Sequence, residues 1–171
     1  MTWASAEDIL TERHDIPYKG EEELDVNIGF GLGELELRGS DNPDYLLRSE
    51  MKYTKDFLKP IVEYKTLGNR GRLRLRTEKF DKGELVVDKK HNISRNDKSQ
   101  NRWRLELTRK IPLYYSIELG LGDGRLDFTG QKVRDLKLEC GLSDVSVDFK
   151  SDNMESMRNL EIGTGLGSVN V

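Results

Sequence analysis

Few residues in this chain of 171 could carry out chemistry. The two histidines, His14 and His91, have no partner at ligand or catalytic spacing, and both read as surface residues. A single cysteine, Cys140, excludes an intramolecular disulfide and every zinc site of the Cys-x-x-Cys kind. It falls in register with apolar neighbours and reads as a small core residue, not a reactive thiol. Neither Gly-x-Ser-x-Gly nor His-Glu-x-x-His occurs. Gly29, Gly31 and Gly33 imitate a nucleotide-binding turn, but Glu34-Leu35-Glu36-Leu37 then alternates as a strand, where phosphate binding needs a helix N terminus. The carboxylates Glu34, Glu36, Asp127, Asp144 and Asp148 alternate outward from strands, as a solvated face would, and the nonapeptide of calcium-binding β-rolls is unmatched. No catalytic residue, metal site or cofactor is therefore expected, and an enzyme, carbohydrate-active or other, is the least favoured class.

One feature rises above this background, and it is basic. Arg70, Arg72, Arg74 and Arg76 share one face of a strand, and Arg102 and Arg104 share a face of another. Were these strands neighbours, a guanidinium patch would form beside Lys89, Lys90 and Arg95, suited to bidentate contact with an anionic envelope polymer, lipid headgroups or a protein. The competing expectation is that the arginines pair across strands with Glu84, Asp88 and Glu106 and keep the sheet soluble. Nucleic acid is not an expected partner: only Trp103 adjoins the basic residues, and alternation turns it inward.

Composition agrees with an interaction module. The 28 basic and 31 acidic side chains leave a net charge of −3, so any electrostatic attraction must be local. Hydrophobic and charged residues each make up 35%, which suits an elongated shape with much surface for its core. No run approaches the roughly 20 apolar residues of a membrane span, and no basic-then-apolar leader precedes a cleavage site. Met1 followed by Thr2-Trp3-Ala4-Ser5 also fits a mature or trimmed form, so this leaves both the cell envelope and the cytoplasm open.

The elements that would position these residues are repeats. Four segments superpose without gaps: VNIGFGLGELEL at 26–37, IELGLGDGRLDF at 117–128, LKLECGLSDVSV at 136–147 and LEIGTGLGSVNV at 160–171. Aligned this way, Gly31, Gly122, Gly141 and Gly165 share a column, followed two residues later by Gly33, Gly124, Ser143 and Gly167. The inward columns become Val26, Ile117, Leu136, Leu160; Ile28, Leu119, Leu138, Ile162; Leu35, Leu126, Val145, Val169; and Leu37, Phe128, Val147, Val171. Alternation on both sides of the glycine predicts two half-buried strands meeting at a corner, with glycine supplying the bend. Glu118, Lys137 and Glu161 would form an outward rung of alternating sign.

Spacings of 19 residues from Gly122 to Gly141 and 24 from Gly141 to Gly165 fall in the range of solenoid coils. The expected fold is an all-β solenoid of parallel, right-handed coils, interrupted after the first repeat by an antiparallel insertion over 38–112. Within it, 45–53, 61–66, 71–77, 84–88 and 103–108 alternate as short strands, and 89–101 reads as an exposed loop. The N-terminal twenty residues offer a helix-capping box at Ser5-Ala6-Glu7-Asp8 or an edge strand stopped by Pro17, the strand being favoured. Residues 1–171 are expected to form one all-β domain, with the first repeat and insertion at 20–112 and consecutive coils at 113–171.

The run Arg104 to Leu113, then Ser116 to Phe128 with its Gly122-Asp123-Gly124, together with the entry at 24–37, resembles the toast-rack family of bacterial cell-envelope proteins. The likeness covers most of 20–171. It implies an adhesin-like β-solenoid module, commonly exported or attached to a membrane segment, with no catalytic or metal-binding residues to carry over. Relatives include LiaF-like proteins that restrain a sensor of envelope stress, so regulation of such signalling is the alternative to a surface scaffold. The last coil would end on an unpaired edge at Val171, which predicts stacking on another copy, on a partner protein or on further coils.

Overall fold

The structure, a computed structural model, describes residues 9–55, 57–81, 84–86 and 100–171. The capping alternative at Ser5 to Asp8 and nearly all of the 89–101 loop lie outside these. Twelve strands are described: β1 Ile9–Pro17, β2 Glu23–Ser40, β3 Tyr45–Thr54, β4 Pro60–Leu67, β5 Arg70–Thr77, β6 Phe80–Asp81, β7 Glu84–Leu85, β8 Arg102–Thr108, β9 Pro112–Asp127, β10 Lys132–Asp148, β11 Asn159–Thr164 and β12 Ser168–Asn170. The chain is all-β. Its N-terminal segment is a strand, as Pro17 and the alternation before it predict.

Ten strands make one open mixed sheet, bent so that its halves face each other across a common core. In the first arm the order is β4-β5-β2-β9-β10-β11; in the second it is β1-β3-β8-β2-β9-β10-β12. The long strands β2, β9 and β10 run through both arms without a break, so the bend lies inside single strands of 16 to 18 residues. Alternating apolar residues from both arms, among them Leu24, Val26, Ile28, Leu35, Leu37, Leu73, Leu75, Trp103 and Leu105, form one buried cluster. Trp103 is fully buried and meets Phe30 edge-on at 5.0 Å and 67°. Within this core Tyr115 donates its hydroxyl to Gln131 at 2.5 Å, whereas the buried Trp103 Nε1 has no acceptor among the described residues.

The observed register corrects the repeat alignment. The third and fourth copies align as read, Leu136 with Leu160 and Leu138 with Ile162. The second copy is displaced by two residues: Ile28 pairs Ile117, and Ile117 pairs Leu138, whereas Val26 and Leu136 pair Tyr115. Gly122 therefore stands beside Gly33 and Ser143, while Gly124 occupies the core column of Leu35 and Val145. A two-residue slip keeps every side chain on its own face, so alternation alone cannot detect it. At Gly124 the missing side chain is replaced by Leu119 and Val145, whose methyls lie 3.0 and 3.2 Å from where a Cβ would be. The outward rung changes too: Lys137 meets Glu161 at 3.7 Å, but Glu118 stands opposite Glu139.

In this register each of the four repeat layers carries glycine, then leucine, then glycine or serine at the bend: Gly31-Leu32-Gly33, Gly120-Leu121-Gly122, Gly141-Leu142-Ser143 and Gly165-Leu166-Gly167. Gly33 and Gly122 have φ of 123° and 138°, values that side-chain-bearing residues avoid. At Gly120 and Gly141 the reason is close approach, because a Cβ would sit 2.5 and 2.8 Å from the carbonyl oxygens of Gly31 and Gly120 in the preceding layers.

The insertion is not purely antiparallel. β1·β3, β3·β8, β4·β5 and β6·β7 pair antiparallel, but β5 and β8 each join β2 in parallel. Leu73 and Leu75 match Val26 and Ile28, and Trp103 and Leu105 match Leu35 and Leu37. Together β5 and β8 are one more layer, divided at the bend by residues 78–101. Its ends are clasped to β2: the Gly31 amide donates to Thr77 Oγ1 at 3.1 Å, the Glu34 amide donates to Asn101 O at 2.9 Å, and Asn101 Nδ2 donates to Leu32 O. Phe80 packs closely over the bend at Gly29, Gly31 and Gly120, its ring carbons 3.3, 3.4 and 3.0 Å from where Cβ atoms would be.

Candidate interaction surface

The outward positions of the second arm form a checkerboard of charge. One row across neighbouring strands reads Arg13, Glu50, Arg104, Glu36, Arg125; the next includes Asp15, Arg48, Glu106, Arg38. In the first row Arg13 Nη2 is 2.7 Å from Glu50, Glu50 is 3.8 Å from Arg104 Nη1, Arg104 Nε is 3.3 Å from Glu36, and Glu36 is 3.8 Å from Arg125 Nη1. In the second, Arg48 lies 3.8 Å from Asp15, and Arg38 pairs with Glu106. These side chains, with Asp127, line an open concavity of about 650 Å³. The hydrogen bonds from Arg13 hold the Glu50 carboxyl below its ordinary pKa, and those from Thr129 do the same for Asp127. Exposed pairs of this kind are each worth about 0–1 kcal/mol, so the lattice contributes solubility and register more than stability.

The predicted basic patch is divided between the arms. Arg70, Arg72, Arg74 and Arg76 stand on β5 in the first arm, whereas Arg102 and Arg104 stand on β8 in the second. Among the described residues their counter-charges come chiefly from β2. Arg70 clamps Asp25 with Nε and Nη2 at 2.9 and 2.5 Å, reaches Glu23 at 2.6 Å, and lies 4.3 Å above the Tyr114 ring. Arg72 is 3.5 Å from Asp25; Arg102 pairs with Glu34, and Arg104 with Glu36 and Glu50. Glu106 is taken by Arg38, and the side chains of Glu84 and Asp88 lie outside the described residues. Two arginines are left over. Among the described residues Arg74, opposite Glu63, makes no ion pair within 4 Å, and the buried Nε of Arg76 has no acceptor.

His14 enters a short polar relay that its sequence spacing did not reveal. Tyr53 donates to one Glu12 oxygen at 2.6 Å, and His14 Nε2 lies 3.1 Å from the other. The Tyr53 hydrogen bond holds the Glu12 carboxyl below its ordinary value. Cys140 is buried, and burial pushes its thiol up to about 11. Among the described residues no group of three or more His, Cys, Asp or Glu could hold a metal ion, and no helix is long and apolar enough to cross a membrane.

Leu32, Leu121, Leu142 and Leu166 form a ladder at the bend. Leu32 pairs Leu121, Leu121 pairs Leu142, and the Leu166 amide donates to Gly141 O at 3.1 Å, which sets Leu166 beside Leu142. One end is covered: Leu32 is buried with Tyr53, Phe57 and Leu58, and Leu85 and Leu121 pack on them. The other end is bare, with Leu142 52% and Leu166 85% exposed. The leucine after each glycine was visible in the sequence, but the two-residue slip of the second copy put Asp123 in its column.

The N-terminal domain of toast_rack, DUF2154, matches residues 4–171. The chain belongs to the toast-rack family. This toast-rack chain is also similar in fold to a candidate cell adhesion protein from Clostridium sporogenes ATCC 15579, at 19% identity and a TM-score of 0.72, over 95% of this chain and 98% of that one. A candidate adhesin from Bacteroides fragilis NCTC 9343 aligns over 96% and 97% of the two chains at 11% identity and a TM-score of 0.32. No curated protein matches the chain.

Proposed function

We propose that this chain is a non-catalytic, adhesin-like interaction module of the bacterial cell envelope, acting outside the cytoplasm and binding an anionic envelope polymer. Membership of the toast-rack family supports the surface role, as does the fold shared with a candidate cell adhesion protein. The observation that carries the ligand class is the unequal use of arginines: Arg70, Arg102 and Arg104 are engaged by carboxylates, while among the described residues Arg74 and Arg76 on β5 have no carboxylate partner. Unpaired guanidinium groups on a rigid strand suit repeated sulfate, phosphate or carboxylate groups.

Binding of the 171-residue protein to dextran sulfate, with uncharged dextran as the control, tests this reading. The expected result is salt-sensitive binding that weakens about tenfold in the Arg74→Glu/Arg76→Glu double variant and far less in Arg104→Glu. Binding that is absent, or equally weakened by both variants, overturns it. Recovery of a membrane sensor in a pull-down would favour the envelope-stress regulator instead.

A further inference from the structure

The charges on the outer face of the second arm are ordered beyond what solubility requires. Across the strand order β1-β3-β8-β2-β9 the sign alternates at every step of the checkerboard, and along each strand two positions, two residues apart, carry opposite charges: Arg13 and Asp15 on β1 through to Arg125 and Asp127 on β9. The first arm serves as an internal control. There a row across β4, β5, β2 and β9 reads Glu63, Arg74, Asn27, Ser116, an outer sheet face without such alternation. The alternating face is also the concave one: five guanidinium groups and five carboxylates line the space of about 650 Å³ and cancel in charge. Its central ion pairs are loose. Arg48, Arg104 and Arg125 stand 3.3 to 3.8 Å from their carboxylates, and each guanidinium has about five N–H donors, more than such contacts use.

We infer that this concavity binds a polymer bearing zwitterionic groups, each an ammonium and a phosphodiester two carbons apart, as in phosphoethanolamine. Charge complementarity selects that occupant. A polyanion would meet carboxylates on the strands beside each guanidinium, and a polycation would meet guanidinium groups beside each carboxylate. A ligand with both signs about one strand spacing apart, ~4.8 Å, sets its phosphate on Arg104 or Arg125 and its ammonium on Glu36 between them, so every charge faces its opposite. Five strands repeat that register, which favours a chain carrying many such groups over a single one. A planar bilayer of the same groups would rest on the rim of a concave face. The inference is independent of the anionic-polymer reading, because Arg74 and Arg76 stand on the other arm.

Calorimetric titration of the whole chain with dextran substituted with phosphoethanolamine, against unsubstituted dextran, tests the inference. Binding is expected, and free glycerophosphoethanolamine should compete at concentrations where neither ethanolamine nor glycerol phosphate does. Arg104→Gln/Glu36→Gln removes one charge of each sign and leaves the net charge at −3, so the expected loss of about tenfold in affinity reports the pattern and not the overall field. Arg125→Gln, at a side chain 79% exposed, should weaken binding by a smaller factor with circular dichroism unchanged. Arg74→Glu/Arg76→Glu should leave it unaltered, so this inference and the anionic-polymer reading fail separately. No binding, equal competition by glycerol phosphate, an unchanged affinity in Arg104→Gln/Glu36→Gln, or preference for phosphatidylethanolamine vesicles over the substituted dextran overturns the proposal.

Discussion

The two arms are built on the same three long strands, yet their outer faces differ. On the second arm Arg13, Glu50, Arg104, Glu36 and Arg125 satisfy one another in sequence; on the first, Arg70 takes Glu23 and Asp25, and among the described residues Arg74 and Arg76 have no carboxylate partner. β2 contributes to both faces, with Glu23 and Asp25 on one side of the bend and Glu34 and Glu36 on the other. The difference lies in spacing. Beyond Asp25 the outward positions of β2 are Asn27 and Gly29, which offer no charge to Arg74 and Arg76. Charge balance in such a sheet is decided rung by rung, and one strand can be sated on one arm and deficient on the other.

The largest expected effect asks whether the arms are one unit despite their different faces. Trp103→Ala in the second arm should cost about 3–5 kcal/mol, and Leu75→Ala in the first about 2–5 kcal/mol, each within a single denaturation transition because the two share one buried cluster. A separate early transition in either variant would break that view.

Acid should weaken the shared fold, in part through carboxyls on the second arm. The Glu12 and Asp127 carboxyls are depressed below their ordinary values of 4.5 and 3.8, so their contribution is complete above those values and is lost as pH falls through the lower folded values. Thermal melts below pH 4.5 should show this loss, and Tyr53→Phe, which removes the main cause of the Glu12 shift, should reduce the dependence.

Charge reversal sharpens the contrast between the faces themselves. Arg104→Glu places like charges beside Glu36 and Glu50 and should cost about 1 kcal/mol, whereas Arg74→Glu should stay within about 0.5 kcal/mol, both read by urea denaturation. The smallest effect is kinetic: Cys140, buried and with its thiol raised to about 11, should react with a thiol reagent only as fast as the sheet opens.

Much of this arrangement was legible from residues alone. The alternation about Gly31, Gly141 and Gly165 identified the stacked layers, and Pro17 marked the end of an edge strand. The placement of the second copy was not legible, because Gly120-Leu121-Gly122-Asp123-Gly124 offers two glycine pairs two residues apart and either preserves the inward face. Nor could alternation show that β5 and β8 are halves of one layer, since parallel partners carry no local signature and residues 78–101 separate the halves. The division of the arginines between the arms was not legible for a related reason: two strands can flank the same neighbour and still stand on opposite arms. Its true counter-charges on β2 follow only once the parallel pairing is known.

Because β2, β9 and β10 pass through the bend unbroken and nest backbone against backbone there, the angle between the arms belongs to no single residue. It behaves as a crease shared by stacked sheets of paper, which none of them can open alone. Force applied to one arm is carried across the crease through continuous covalent chain, and the hydrogen bonds between layers are loaded together along its whole width. Such a construction holds the spacing of its two outer faces fixed under pull.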